Sequence, residues 1–175
     1  MQLGDLPAWS KEVLAKLPED MHKMASSLIN EFLNNLQPLL DLGLDYLTME
    51  RAGNTLSTGE LQRIQLARTL RTETTGVLYV LDEPSIGLHP ANVTGLIKVL
   101  RKLVDQGNSL VVVDHNVDII KAADEIIEIG PGSGEQGGQI LDQDSPEEIK
   151  KDKQSLIAPY LNGKAHLMAR KVSDQ

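Results

Sequence analysis

The stretch VLYVLDEPSIGLHP, residues 77–90, sets two adjacent carboxylates, Asp82 and Glu83, at the end of an apolar run. Acids at strand ends often serve only solubility. The pair also fits phosphoryl transfer, where one carboxylate fixes magnesium through a water and its neighbour reaches the attacking water. A second apolar run, NSLVVVDH (residues 108–115), ends on Asp114 and His115. An imidazole there suits a hydrogen bond to a γ-phosphate or to that water. A third stretch, NTLSTGELQR (residues 54–63), places Ser57, Thr58 and Gly59 where a helix begins. A helix N-terminus offers free N–H groups and a favourable dipole to an anion, and glycine lets the backbone approach it closely. The same stretch also fits an ordinary capped helix, because Ser57 followed by Glu60 matches a capping box.

The elements that must position these groups follow from periodicity. Met21, Met24, Leu28, Phe32 and Leu36 recur at three- and four-residue steps, which predicts an amphipathic helix over 19–40. A second helix starts near Thr58, with Leu61, Ile64, Leu66, Ala67 and Leu70 as its apolar side. Residues 77–82 and 108–114 are apolar without alternation, the pattern of a parallel sheet covered on both faces. The helical stretch between them, ending at Gly107, makes a right-handed β-α-β crossover. NVDIIKAAD reads as a short helix, EIIEIG and QILDQDS as further strands, and PEEIKKD as a helix opened by Pro146. Gly130–Gly138 reads as a turn. The fold class is α/β. In such a sheet, ligands sit beyond the C-terminal ends of the strands, where the acids and His115 would share one cleft.

Four segments follow: a linker or edge over 1–19, a helical segment over 20–57, a core over 58–152, and a polar, partly disordered tail over 153–175. The 175 residues suffice for one domain with a core. A net charge of −8 argues against autonomous gripping of a nucleic-acid backbone. The absence of cysteine excludes disulfides and thiolate zinc sites within the chain. The first residues lack a basic segment leading into an apolar run, and no apolar run is long enough for a bilayer. The expectation is a soluble, cytoplasmic protein without a membrane partner.

No GxxxxGK[ST] phosphate loop occurs in these residues. The remaining motifs nevertheless resemble those of ATP-binding-cassette ATPases. LSTGELQR resembles the family signature, with Thr58 where glycine is usual. VLYVLDEP resembles the Walker B strand with its catalytic glutamate. SIGLH resembles the D-loop, and His115 falls on the switch histidine. The wording is more similar still to one branch, the A subunit of the bacterial excision-repair nuclease, over roughly residues 20–150. DEPSIGLH resembles the first of that branch's two cassettes, and DHNVDIIKAAD also resembles the second.

The resemblance implies a P-loop-NTPase-like cassette, mainly a parallel sheet covered by helices, represented by its C-terminal part without the Walker A portion. It implies ATP and Mg2+ as ligands of the intact protein. Glu83 and His115 would be catalytic, and Asp82 would hold magnesium through a water. Ser57 and Gly59 would contact ATP held by the partner cassette, and Ser85, Gly87 and Gln62 would lie at the D-loop interface. The implied partners are the other cassette, a UvrB-like subunit and damaged DNA. The zinc modules of the branch have no cysteines here to hold them. Thr58 adds β-branched bulk near the phosphate. Gln62 and Arg63 read as a polar helix face or an interface, His89 as structural or interfacial, and His22 and His166 as surface residues. Alongside the ATPase reading stand a non-catalytic docking module and a drug self-resistance ATPase of the same branch.

Overall fold

The computed structural model describes residues 1–72, 74–130 and 138–165. In it the first apolar run becomes strand β1 (Leu78–Asp82) and the second becomes β2 (Ser109–Val113). They pair in parallel, Val80 opposite Val111 and Asp82 opposite Val113. The crossover is helix α4 (Pro90–Asp105), which buries Val93, Leu96, Val99, Leu100 and Leu103 and packs on β2. Pro90 stands at its first turn, and His89 caps it by accepting the Ala91 N–H at 3.2 Å. The helix stops at Gly107, whose φ of 86° only glycine adopts without strain. Asn108, buried, then ties three segments: its amide donates to Thr74 O and Leu103 O and its carbonyl accepts from Val77 N.

Ahead of this unit lie α1 (Leu6–Lys16), α2 (His22–Asp41) and α3 (Thr58–Thr69), with single 3₁₀ turns at Leu3–Asp5, Glu19–Met21 and Gly53–Thr55. The segment 1–19, read as a linker, is thus largely helical. Pro7 sits at its favourable start, Leu3 and Leu6 are buried, and Leu3 N–H donates to Leu47 O at 2.8 Å. The α2 stripe is only partly used: Leu36 is buried, whereas Met21, Met24 and Leu28 are exposed. α2 packs on α4 at Gly95, where an added Cβ would lie 1.9 Å from Asp41 O. That close backbone approach requires glycine.

Residues from His115 onward form a second compact unit, Met1–Asp114 being the first, so the division falls inside the segment expected as one core. It holds α5 (Val117–Lys121), β3 (Ile126–Ile129), β4 (Ile140–Asp144), α6 (Pro146–Ile149) and α7 (Ala158–Leu161). Ile126, Ile149 and Leu161 form its core. Buried Glu128 fastens the 155–157 segment, accepting the Ser155 hydroxyl at 2.6 Å and the N–H groups of Leu156 and Ile157. The part of the expected polar tail that is described, 153–165, is therefore ordered around α7. The glycine-rich stretch 131–137 and residues 166–175, with His166, lie outside the described residues.

The expected parallel sheet covered by helices needs correction. The described residues form two two-stranded sheets, β1–β2 parallel and β3–β4 antiparallel. Nor are β1 and β2 buried on both faces. Leu78, Val80, Val111 and Val113 are 60, 68, 50 and 53 % exposed, while the intervening residues are half-buried. Apolar composition marks both faces for burial, but no described element covers this one. Among the described residues, no helix is long and apolar enough to cross a membrane.

Candidate functional site at the ends of the parallel strands

The C-terminal ends of β1 and β2 bring the predicted acids to one edge. The ladder runs on past β1, because Glu83 N–H donates to Val113 O at 2.7 Å. Glu83 itself stands at φ 45°, the sole described non-glycine residue with positive φ. A glutamate there is strained by about 1–3 kcal/mol, and such strain clusters at functional sites. Pro84, buried, follows, and the chain turns through hydrogen bonds from Ile86 N to Glu83 O and from Leu88 N to Ser85 O. Gly87 permits the turn with φ 72°. Ser85 is clamped to the neighbouring strand: its hydroxyl donates to Asp114 Oδ1 at 2.6 Å and its N–H to Oδ2 at 3.0 Å. Asp114 thus holds the turn that follows the acid pair, a role that nothing in the local spacing announces.

Helix α3 reaches the same edge. Gln62 Nε2 donates to Asp82 O at 3.4 Å, and Gly59 lies beside the turn, its Cβ position 3.9 Å from Ile86 O. An added Cβ there would make only an ordinary van der Waals contact. Ser57 forms the predicted capping box: its Oγ accepts Glu60 N–H at 3.2 Å and its N–H donates to Glu60 Oε2 at 2.6 Å. The first unit therefore assembles Asp82, Glu83, Ser85, Gly87, Asp114, Gln62 and the α3 N-terminus. His115 is the first residue of the second unit and is exposed. His22 is half-buried, with Nε2 2.8 Å from Leu17 O.

The buried face of α3 differs from the expected one. It carries Glu60, Arg63, Leu66, Ala67 and Leu70, while Leu61 is 44 % exposed. Glu60 accepts from Tyr46 Oη at 2.6 Å and from Arg51 Nη1 at 3.0 Å besides capping Ser57. The Tyr46 hydroxyl, then the Ser57 N–H, the Ser57 hydroxyl and the Arg51 charge, hold its carboxyl down to about 2. Burial, followed by the Glu60 carboxylate, pushes Tyr46 up. Capping-box spacing predicted Glu60's bond to Ser57, but not its two partners from outside the helix.

No group of three or more His, Cys, Asp or Glu side chains able to hold a metal occurs among the described residues. Asp82 is exposed at the strand end.

A parallel β-α-β unit with an acid pair at its strand ends, beside a capped helix start, is the arrangement that the resemblance to ATP-binding-cassette motifs implies. The comparisons place it further. No family model matches. The chain is 48 % identical over 151 residues to UvrABC system protein A of Staphylococcus aureus, covering 86 % of the chain and 16 % of that protein. The Aquifex aeolicus counterpart is 45 % identical over 167 residues, 95 % of the chain and 18 % of its own length. Among solved structures, UvrA2 from Deinococcus radiodurans matches 97 % of the chain and 22 % of its own, with 37 % identity and a TM-score of 0.79. Over the stretch it spans, the chain belongs to the UvrA family. That stretch is about a sixth of the length of the curated relatives it matches.

Proposed function

We propose that the chain supplies the signature, Walker B, D-loop and switch elements of a UvrA-like ATPase acting in nucleotide-excision repair. The observation that carries this is the strand-end edge, where Asp82, strained Glu83 and the Ser85–Asp114 clamp meet the start of α3. Glu83 orients the attacking water and takes its proton as the new O–P bond forms. The bond from the γ-phosphorus to the bridging oxygen breaks, and ADP carries that oxygen away. Asp82 would hold a magnesium ion, which would supply charge neutralisation at the phosphates. His115 hydrogen-bonds the γ-phosphate. Ser57 and Gly59 serve ATP held by a partner cassette, and Ser85, Gly87 and Gln62 form the surface that meets it.

The bare face of β1–β2 supports a further part of the reading. A parallel pair with one apolar face exposed is completed by a βα unit that packs on Leu78, Val80, Val111 and Val113. The Walker A segment is that unit in this proposal. Through the completed protein the partners are a second cassette, a UvrB-like subunit and damaged DNA. The same exposed face favours a second reading, in which the chain docks without catalysing.

One experiment separates the two. A complex is reconstituted from this chain and a Walker-A-bearing remainder of the cassette, with Glu83→Gln against wild type. The catalytic reading expects ATP turnover to collapse with assembly retained. Unchanged turnover leaves docking alone. The chain by itself is expected to hydrolyse little ATP, and turnover at whole-enzyme rates would overturn the need for the remainder.

A further inference from the structure

Arg63 is 7 % exposed, and its Nε and Nη1 are sealed from solvent with no hydrogen-bond partner among the described residues. An uncompensated buried guanidinium is expensive, and such a group needs a reason. Because those nitrogens are sealed, an acceptor must come from within the fold. Glu60 lies three residues earlier on the same buried face of α3, the spacing at which helical side chains meet. Its carboxylate is engaged by Arg51, and Arg51 has other acceptors: its Nη2 donates to Thr55 O at 2.9 Å and its Nε to Thr55 Oγ1 at 3.3 Å. Arg51 is also about one-third exposed, in a segment of turns. The charge of Arg63 reaches the Tyr46 hydroxyl, as that of Arg51 does.

We propose that Glu60 is a two-position acid, shared between Arg51 and Arg63, that couples the 46–55 turn to the start of α3. With Arg51 in place, Glu60 holds Tyr46 and caps the Ser57 N–H. When the turn withdraws Arg51, the carboxylate swings to Arg63 and Ser57 N–H is released. The helix start that carries Ser57 and Gly59 thereby gains a second state. This device goes beyond the proposed ATPase role and stands without it, because neither state needs a nucleotide.

The test uses the 175-residue chain and Arg51→Gln. In the nitrogen–proton NMR spectrum, the Arg63 Hε signal is expected to move downfield as it gains a carboxylate acceptor. The Ser57 amide is expected to lose at least tenfold in exchange protection. In Arg51→Gln/Glu60→Gln, the Arg63 signal is expected back at its wild-type position. A second reading uses Arg63→Met and the urea midpoint, expected unchanged or higher in the wild-type background and lower in the Arg51→Gln background. An unmoved Arg63 signal in Arg51→Gln overturns the proposal. Equal lowering of the midpoint in both backgrounds does so too, since it marks a purely structural arginine. Loss of the fold in Arg51→Gln also overturns it, because Glu60 then has no second partner.

Discussion

Two groups of carboxylates in this chain have the same chemistry and opposite circumstances. Glu60 in the first unit and Glu128 in the second are buried and surrounded by donors. Each joins segments far apart in sequence. Asp82 stands exposed at a strand end, and Glu83 next to it is held in a strained backbone. Burial with full pairing turns a carboxylate into a fastener, because leaving its donors unmet would cost more than desolvating it. Exposure at a strand end leaves the Asp82 carboxylate in contact with solvent. The composition of the two groups would not have told them apart.

The sharpest break of this contrast is chemical. Glu83→Gln in the reconstituted complex is expected to lower ATP turnover by about 10²–10⁴-fold, the usual contribution of general-base catalysis. Asp82→Asn in the chain is expected to leave stability within about 0.5 kcal/mol by urea unfolding, as for an exposed group. A large loss of stability there would move Asp82 among the fasteners. Glu128→Ala acts in the opposite sense. It strands the Ser155 hydroxyl and two N–H groups, and denaturation is expected to show a loss of about 2–3 kcal/mol.

Ser85→Ala removes one short hydrogen bond to Asp114 and is expected to cost about 1 kcal/mol in the same assay. The smallest effect is a slope. Glu60's folded value of about 2 lies below its ordinary 4.5, so its contribution to stability is complete above pH 4.5 and is lost as pH falls toward 2. Glu60→Gln is expected to flatten the stability profile across that window. A wild-type profile already flat there would remove Glu60 from the fasteners.

Much of the site was legible because its signals are local. Apolar runs ending in Asp82–Glu83 and Asp114–His115 announce strands and their polar ends. The parallel pairing follows from a helical crossover that stops at Gly107. Ser57 and Glu60, three residues apart, announce a capped helix start, and that cap is present. What stayed hidden depends on distance. The Ser85–Asp114 clamp joins residues 29 apart and Tyr46–Glu60 joins residues 14 apart. Arg63 read as a polar helix face, yet α3 turns that face inward. Helix α1 lies in the segment read as a linker, and Pro7 stands in its first turn, where proline's missing N–H goes unneeded.

Sequence alone nominated the residues whose chemistry suits a phosphate or a metal, and most of the segments that become the strands and helices carrying them. Side-chain chemistry and near-neighbour spacing suffice for that. Only tertiary structure decided which acid is spent on the fold and which is left open, and that one apolar face of β1–β2 remains uncovered by the described residues. Those outcomes depend on what packs against each side chain from elsewhere in the chain, a quantity that no local pattern contains.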